Sequence, residues 1–233
     1  MREQYGALGT RTKLDGVQTI ACPAQNLFAV LREPQKRRRF DSPSDIPGLH
    51  TLALGTAEHF AQELVDLGLL TRDHGRYSIN DWTIERIVEH LDLAGAIQAM
   101  AAAQVAGVAG SADYTHLERL NGVLRGMDDR DPGNLLAGAY IDYQWHQELV
   151  RISGNRAALA AYSRAIPPAV WIAGANYFQL EEARSSLTEH ERLVAYMKAG
   201  DTLRARDAVA FHFEEAASQI RRASAARKES YPV

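Results

Sequence analysis

From Ile84 onward, apolar positions recur at helical spacing and are interrupted only by short polar turns. The run Ala94-Gly95-Ala96-Ile97-Gln98-Ala99-Met100-Ala101-Ala102-Ala103 falls inside the first of these stretches. Alanine is the strongest helix former, so Ile84 to about Gly107 is predicted as one long helix. Further helices are predicted at about 112–127, 134–152, 155–180, 185–199 and 201–226. The connections between them include Asp128-Asp129-Arg130-Asp131-Pro132-Gly133, Ser153-Gly154-Asn155 and Ala199-Gly200-Asp201. Links this short suit antiparallel neighbours in a helical bundle. Pro167-Pro168 falls within the 155–180 stretch and is expected to kink or split it, because proline removes a helical hydrogen bond and clashes with the preceding turn.

Before Trp82 the pattern changes, and turn-formers punctuate the chain at Pro23, Pro34, Pro43, Pro47, Gly48, Gly55, Gly68 and Gly75. Asn26 to Leu31 reads as a short helix ended by Pro34. Pro43 to Leu49 is expected to start another, with Ser44 or Asp45 as its N-cap. Between Thr56 and Leu67 the apolar residues Ala57, Phe60, Ala61, Leu64 and Leu67 mark one face of an amphipathic helix, with Gly68 as its C-terminal stop. Leu69 to Arg72 and Arg76 to Ile79 then read as a β-hairpin around Asp73-His74-Gly75. Short helices followed by a small hairpin are the layout of a winged helix-turn-helix. The expected fold class is therefore mainly α: a winged helix-turn-helix domain over residues 1–81, then an all-α antiparallel helical bundle over residues 82–233.

Composition narrows the class. With 233 residues, 46% apolar and 24% charged, the chain has a globular balance. The single Cys22 excludes a disulfide framework and a cysteine metal cluster. No apolar run reaches the ~18–20 residues of a membrane span, and the first residues lack a signal-peptide core, so the expected location is cytoplasmic without a membrane partner. The net charge of −3 argues at first against nucleic acid, but it is unevenly distributed. Residues 1–81 hold ten Lys/Arg and ten Asp/Glu, so the whole excess lies in the helical part. Within residues 1–81 the basic groups collect at Lys36, Arg37, Arg38 and Arg39, ahead of the helix-turn-helix, and at Arg72 and Arg76 beside Gly75 on the hairpin. These are the candidate phosphate contacts. Thr56, His59 and Gln62 share one helix face and are the candidates for base edges, or else the ordinary polar face of a packed helix. That helix carries no Lys or Arg, and Leu49 to Leu70 has a net charge of −3, a poor footprint for a helix entering a groove.

The sharpest chemistry lies among the eight histidines. Asp142 and His146 are four apart and share a helix face. His190 and His212 stand on successive helices, each eleven residues from Asp201 in the tight turn between them. Residues equidistant from the turn of an antiparallel hairpin lie side by side, so these two are expected to face each other. One carboxylate and three imidazoles converging from three helices suit a divalent ion such as Zn²⁺, Ni²⁺, Mn²⁺ or Fe²⁺. Taken singly, each histidine reads equally as a surface or satisfied core residue.

The stretches Asp142-Tyr143-Gln144-Trp145-His146-Gln147-Glu148-Leu149 with Ser153-Gly154-Asn155, then Glu189-His190 through Ala199-Gly200-Asp201, then Arg204-Ala205-Arg206-Asp207-Ala208 running on to His212, resemble the three motifs of the FadR-type effector domain of GntR-family bacterial transcriptional regulators. The resemblance spans about residues 84–225. It implies that Asp142, His146, His190 and His212 hold a divalent metal in the floor of a cavity, where a small carboxylate metabolite completes the coordination shell. Asn155 is implied as an effector-pocket residue or as the cap of the following helix; Tyr143 and Trp145 are expected to be core. Many relatives carry an Arg and then a Glu near the stretch Leu91 to Gln98, and this chain has neither. The function expected is a ligand-responsive regulator, not an enzyme, that binds operator DNA as a homodimer. The alternatives are a metal-dependent enzyme using the same Asp/His₃ site, and a regulator acting through protein partners with weakened DNA contact.

Overall fold

A computed structural model describes residues 13–14, 17–18, 39–108, 112–127, 132–177 and 180–230. The chain divides into two compact units, Met1–Asp81 with Asp131–Ala137, and Trp82–Arg130 with Gly138–Val233.

In the first unit, β1 (Lys13–Leu14) pairs antiparallel with β2 (Val17–Gln18). β3 (Arg39–Phe40) precedes a single 3₁₀ turn at Pro43–Asp45, and the helix α1 (Leu54–Asp66) is followed by the hairpin β4 (Leu70–Asp73) and β5 (Arg76–Ile79). β5 lies at the centre of a three-stranded sheet in the order β3-β5-β4. The helix expected from Pro43 shrinks to one turn. Ser42 leads it, and the Asp45 carboxylate reaches back to accept from the Ser42 N–H at 3.1 Å and hydroxyl at 2.9 Å. Ser42 thus takes the capping position that Ser44 or Asp45 was expected to fill. The short helix expected at Asn26 to Leu31 lies outside the described residues. Ala57, Phe60, Ala61, Leu64 and Leu67, the apolar face read from spacing, are all buried together with Phe40, Ile46, Leu49 and Tyr77. The hairpin turns on His74 and Gly75, both at positive φ (44° and 82°), the two-residue form whose twist matches paired strands. Winged-helix layout and helical second unit together make the chain mainly α.

The second unit contains α2 (Ile84–Gly107), α3 (Thr115–Gly126), α4 (Pro132–Ile152, belonging to this unit from Gly138), α5 (Arg156–Ala165), α6 (Ala169–Gly174), α7 (Leu180–Lys198) and α8 (Thr202–Ser230). Pro167-Pro168 separates α5 from α6, as the steric argument requires. The Thr83 side chain caps α2 by accepting from the Arg86 N–H at 3.3 Å. α2 is the axis of the bundle and packs against α5, α6, α7 and, most extensively, α8. The α2–α8 approach is close at Gly95, where a Cβ would stand 3.0 Å from the Phe213 Cβ.

Candidate metal centre

The turn between α7 and α8 sets the geometry. Gly200 takes φ 73°, which only glycine adopts freely, and the Asp201 N–H bonds back to the Tyr196 carbonyl at 3.1 Å. Asp201 then caps α8 by accepting from the Arg204 N–H at 3.0 Å. The hairpin so fixed places the His190 and His212 rings 5.1 Å apart, and α4 brings the His146 ring to 5.0 Å and 5.2 Å from them. All three histidines are buried, and one ligand nitrogen from each lies within 4.8 Å of the others. Asp142, one turn before His146, sets its two carboxylate oxygens 3.7 Å from His146 Nε2 and 3.5 Å from His190 Nε2.

Each histidine is held differently. His146 Nδ1 meets Gln98 Oε1 at 2.7 Å; an amide oxygen only accepts, so Nδ1 carries the proton and Nε2 presents its lone pair. His212 Nδ1 donates to Glu189 Oε2 at 2.7 Å, which leaves its Nε2 free in the same way. Among the described residues, neither nitrogen of His190 has a hydrogen-bond partner although the side chain is completely buried. Its ring lies flat against the Trp145 indole at 4.0 Å and 4°. Burial holds the His146 and His190 imidazoles well below the usual histidine range, reinforced by the neighbouring imidazoles, His190 and His212 for His146 and His212 for His190, so both are neutral. Burial also raises the Asp142 carboxyl to about 6, against the pull of His212 and a hydrogen bond from the Trp171 side chain.

These residues fit a divalent cation. Three imidazoles and one carboxyl converge where, among the described residues, neither His190 nitrogen has a hydrogen-bond partner, and a metal would take the lone pair of one of these orphaned nitrogens. Gln98 and Glu189, the orienting partners, were not singled out from sequence. Gln98 is a lone polar residue within an alanine-rich run and Glu189 is adjacent to His190, signals that acquire meaning only once the helices pack. Trp145, read as core, is core, and its face stacks on the His190 ring.

Asn155 caps α5: its Oδ1 accepts from the Ala158 N–H at 3.0 Å, and its Nδ2 faces Gln104 Oε1 at 3.5 Å. In the first unit, Lys36, Arg37 and Arg38 lie outside the described residues. Arg39 is exposed on β3 opposite Ser78. On the wing, Arg72 is exposed over the Tyr77 ring at 5.5 Å, Arg76 pairs with Asp41 at 3.0 Å, and Gly75 forms the turn. On α1, Thr56 is half-buried, His59 is exposed, and Gln62 donates to Asp66 at 2.9 Å. Glu63 is buried, so the outward acids of this helix are Glu58 and Asp66.

Residues 89–215 match the FCD domain family. No curated protein sequence matches the chain. Among solved structures, one described as "Lar controls the expression of the Listeria monocytogenes agr system and mediates virulence" is similar at a TM-score of 0.57 and 13% identity, over 85% of this chain and 95% of that one. Another, E. coli McbR/YncC, is similar at 0.53 and 12% identity, over 85% and 93%. At this identity the two structures speak to fold alone, and they share it across most of the chain. The GntR-type resemblance is borne out at the level of this domain, without specifying a FadR subtype. The FCD match covers more than half of the chain and includes all three buried histidines, so the chain belongs to the FCD-domain family.

Proposed function

We propose that the chain is a ligand-responsive transcriptional regulator of GntR type, in which the helical unit binds a divalent metal and a small organic acid and the winged-helix unit binds operator DNA as part of a homodimer. One observation carries the reading: a buried three-histidine cluster, with two of its rings oriented by Gln98 and Glu189, sits inside an FCD domain that follows a winged helix. Asp142, His146, His190 and His212 would hold the ion. When bound, the ion supplies a positive charge to which a carboxylate can attach in a site otherwise lined by Trp145, Trp171 and Phe213. Arg39, Arg72 and Arg76, with Lys36, Arg37 and Arg38, would supply phosphate contacts, and Thr56, His59 and Gln62 would face base edges. Effector binding would reach the DNA-binding unit through the connector around Asn80 to Ile84. Asn80 is fastened to the wing by bonds with the Gly68 carbonyl at 2.8 Å and Thr71 at 2.6 Å, while Thr83 caps α2.

The test is a mobility shift of the metal-loaded protein on the intergenic DNA upstream of its own gene, over a salt series. Selective binding whose log affinity falls linearly with log salt supports the reading. The outward acids Glu58 and Asp66 favour one rival, a regulator acting through a protein partner. That rival takes over if no DNA sequence is preferred at any salt concentration while metal still binds.

A further inference from the structure

Of the side chains that orient the imidazoles, Gln98 is itself fastened at its far end. His146 must offer Nε2 to the ion, because Nε2 is the nitrogen that faces the Asp142 carboxylate, at 3.7 Å. Nδ1 then carries the proton and donates to Gln98 Oε1 at 2.7 Å. With its oxygen turned to His146, the Gln98 amide has its nitrogen turned to the opposite side, away from the ion. There Gln98 Nε2 donates to the Tyr162 hydroxyl oxygen at 3.2 Å. Gln98 and Tyr162 are both completely buried, so neither bond can be exchanged for one with bulk water.

This chain of bonds joins three helices. Gln98 stands on α2, His146 on α4 and Tyr162 on α5, the last two 48 and 64 residues from the amide. α5 buries Ala158 and Tyr162, one turn apart, and the phenol is the polar group it sends into the bundle. A phenol suits the position because its oxygen both accepts and donates. It meets the amide whichever way the amide is turned, while the ion decides the direction. Bonded to the imidazole alone, the flexible glutamine would swing with the ring and leave a buried amide nitrogen without an acceptor.

We propose that Tyr162 is a positioning residue of the metal centre: by anchoring the Gln98 amide it holds the His146 ring with Nε2 aimed at the ion. The proposal rests on the metal reading above and adds to it the residue that fixes one ligand from behind. Tyr162 acts through Gln98, on the Nδ1 side of His146.

The experiment is a double-mutant cycle on the full chain, with Zn²⁺ affinity read by competition with a chelator. Tyr162→Phe deletes only the hydroxyl and should weaken Zn²⁺ about three- to tenfold, less than the loss of a group bonded to the ligand itself. Gln98→Leu removes that group and should cost about 10–100-fold. Adding Tyr162→Phe to Gln98→Leu should then change nothing further, because the hydroxyl has no amide left to hold. The cycle compares affinities of folded protein, so a fall in melting temperature common to both backgrounds does not enter it. Tyr143→Phe is the control. The Tyr143 ring stacks on Tyr162 at 6.2 Å but its hydroxyl accepts from Gln147 at 3.2 Å, so Zn²⁺ affinity should match the wild type. A second readout is the His146 Nδ1 proton in NMR spectra of the Zn²⁺-loaded chain. It should be sharp in the wild type and in Tyr143→Phe, and broadened in Tyr162→Phe. Wild-type Zn²⁺ affinity in Tyr162→Phe overturns the proposal. An equal loss in both backgrounds also overturns it, because the hydroxyl would then act on packing and not through the amide. A wild-type chain that binds no Zn²⁺ sinks the metal reading and the proposal with it, an outcome distinct from the other two.

Discussion

At the scale of single residues, three imidazoles that would share one ion are oriented by three different means. His146 is held by an amide, His212 by a carboxylate and His190 by the face of an indole. A carboxylate on Nδ1 raises ligand basicity and fixes the ring, so Glu189→Ala should lower metal affinity by about 10–100-fold in a chelator competition. The ring of His190 is backed by the Trp145 indole and, among the described residues, has no hydrogen bond to orient it, so Trp145→Leu should weaken metal where Trp145→Phe, keeping a flat face, should largely restore it. Replacing His190 or His212 with Ala should abolish stoichiometric metal and the metal-dependent rise in melting temperature. If both variants keep metal and melting temperature, the ligand assignment is wrong. The pH dependence follows from protonation. His146 and His190 are held below the ordinary histidine range and are neutral at pH 7, whereas burial raises Asp142 to about 6 in the metal-free chain. A cation binds the ionised carboxylate, so the raised value works against metal below it. Apparent metal affinity should be flat above pH 7 and fall by about tenfold per unit as pH drops below 6, one proton being displaced. A flat profile from pH 7 to 5 would show that Asp142 does not ligate.

At the scale of elements, the α2–α8 contact carries the site, since α2 supplies Gln98 and α8 supplies His212. Gly95→Ala adds about 1 kcal/mol of helix propensity but sets a methyl 3.0 Å from the Phe213 Cβ, an atom that cannot swing away without moving its helix. Overpacking of this kind costs about 1–3 kcal/mol, so urea unfolding should show net destabilisation, and metal affinity should fall with the displacement of His212. Asn155→Ala should act differently, losing a helix cap at about 1 kcal/mol with metal affinity unchanged. The same contrast explains what was legible beforehand. Alanine-rich periodicity, the Pro167-Pro168 break and the apolar spacing of α1 are local signals, and the helices, the split and the buried face follow them. The approach of His190 and His212 was also legible, because a hairpin with a three-residue turn converts sequence symmetry into proximity. The partners of these histidines were not. Gln98 lies 48 residues from His146, and only the packing of α2 against its neighbours brings the amide to the ring. At Pro43 local signals misled: Pro47-Gly48 follows too soon for a helix to propagate, and a single 3₁₀ turn remains.

At the scale of the whole molecule, charge and coupling decide function. Residues 82–233 carry the net negative charge, and in the winged-helix part the described basic groups stand on β3 and the wing while α1 turns Glu58 and Asp66 outward. Glu63, counted against DNA binding when only sequence is considered, is buried and does not face a ligand. Phosphate contacts from the wing would position the protein without reading bases, so Arg72→Ala should weaken operator and random DNA about equally and reduce the salt slope by about one. Base preference would then rest on few groups, of which His59 is exposed while Gln62 is engaged by Asp66. A regulator of this kind responds to its effector only through the difference in effector affinity between the DNA-bound and free states. Linkage makes the coupling reciprocal: whatever factor the acid imposes on operator affinity, operator must impose on acid affinity. The measurement is a pair of titrations on the Zn²⁺-loaded chain, acid into free protein and acid into protein saturated with operator. A typical coupling of 1–3 kcal/mol corresponds to shifts of about 5–150-fold, equal in the two directions. Identical acid affinities with and without operator would mean that the metal centre and the winged helix share a chain but no equilibrium, and the regulatory reading would fail there.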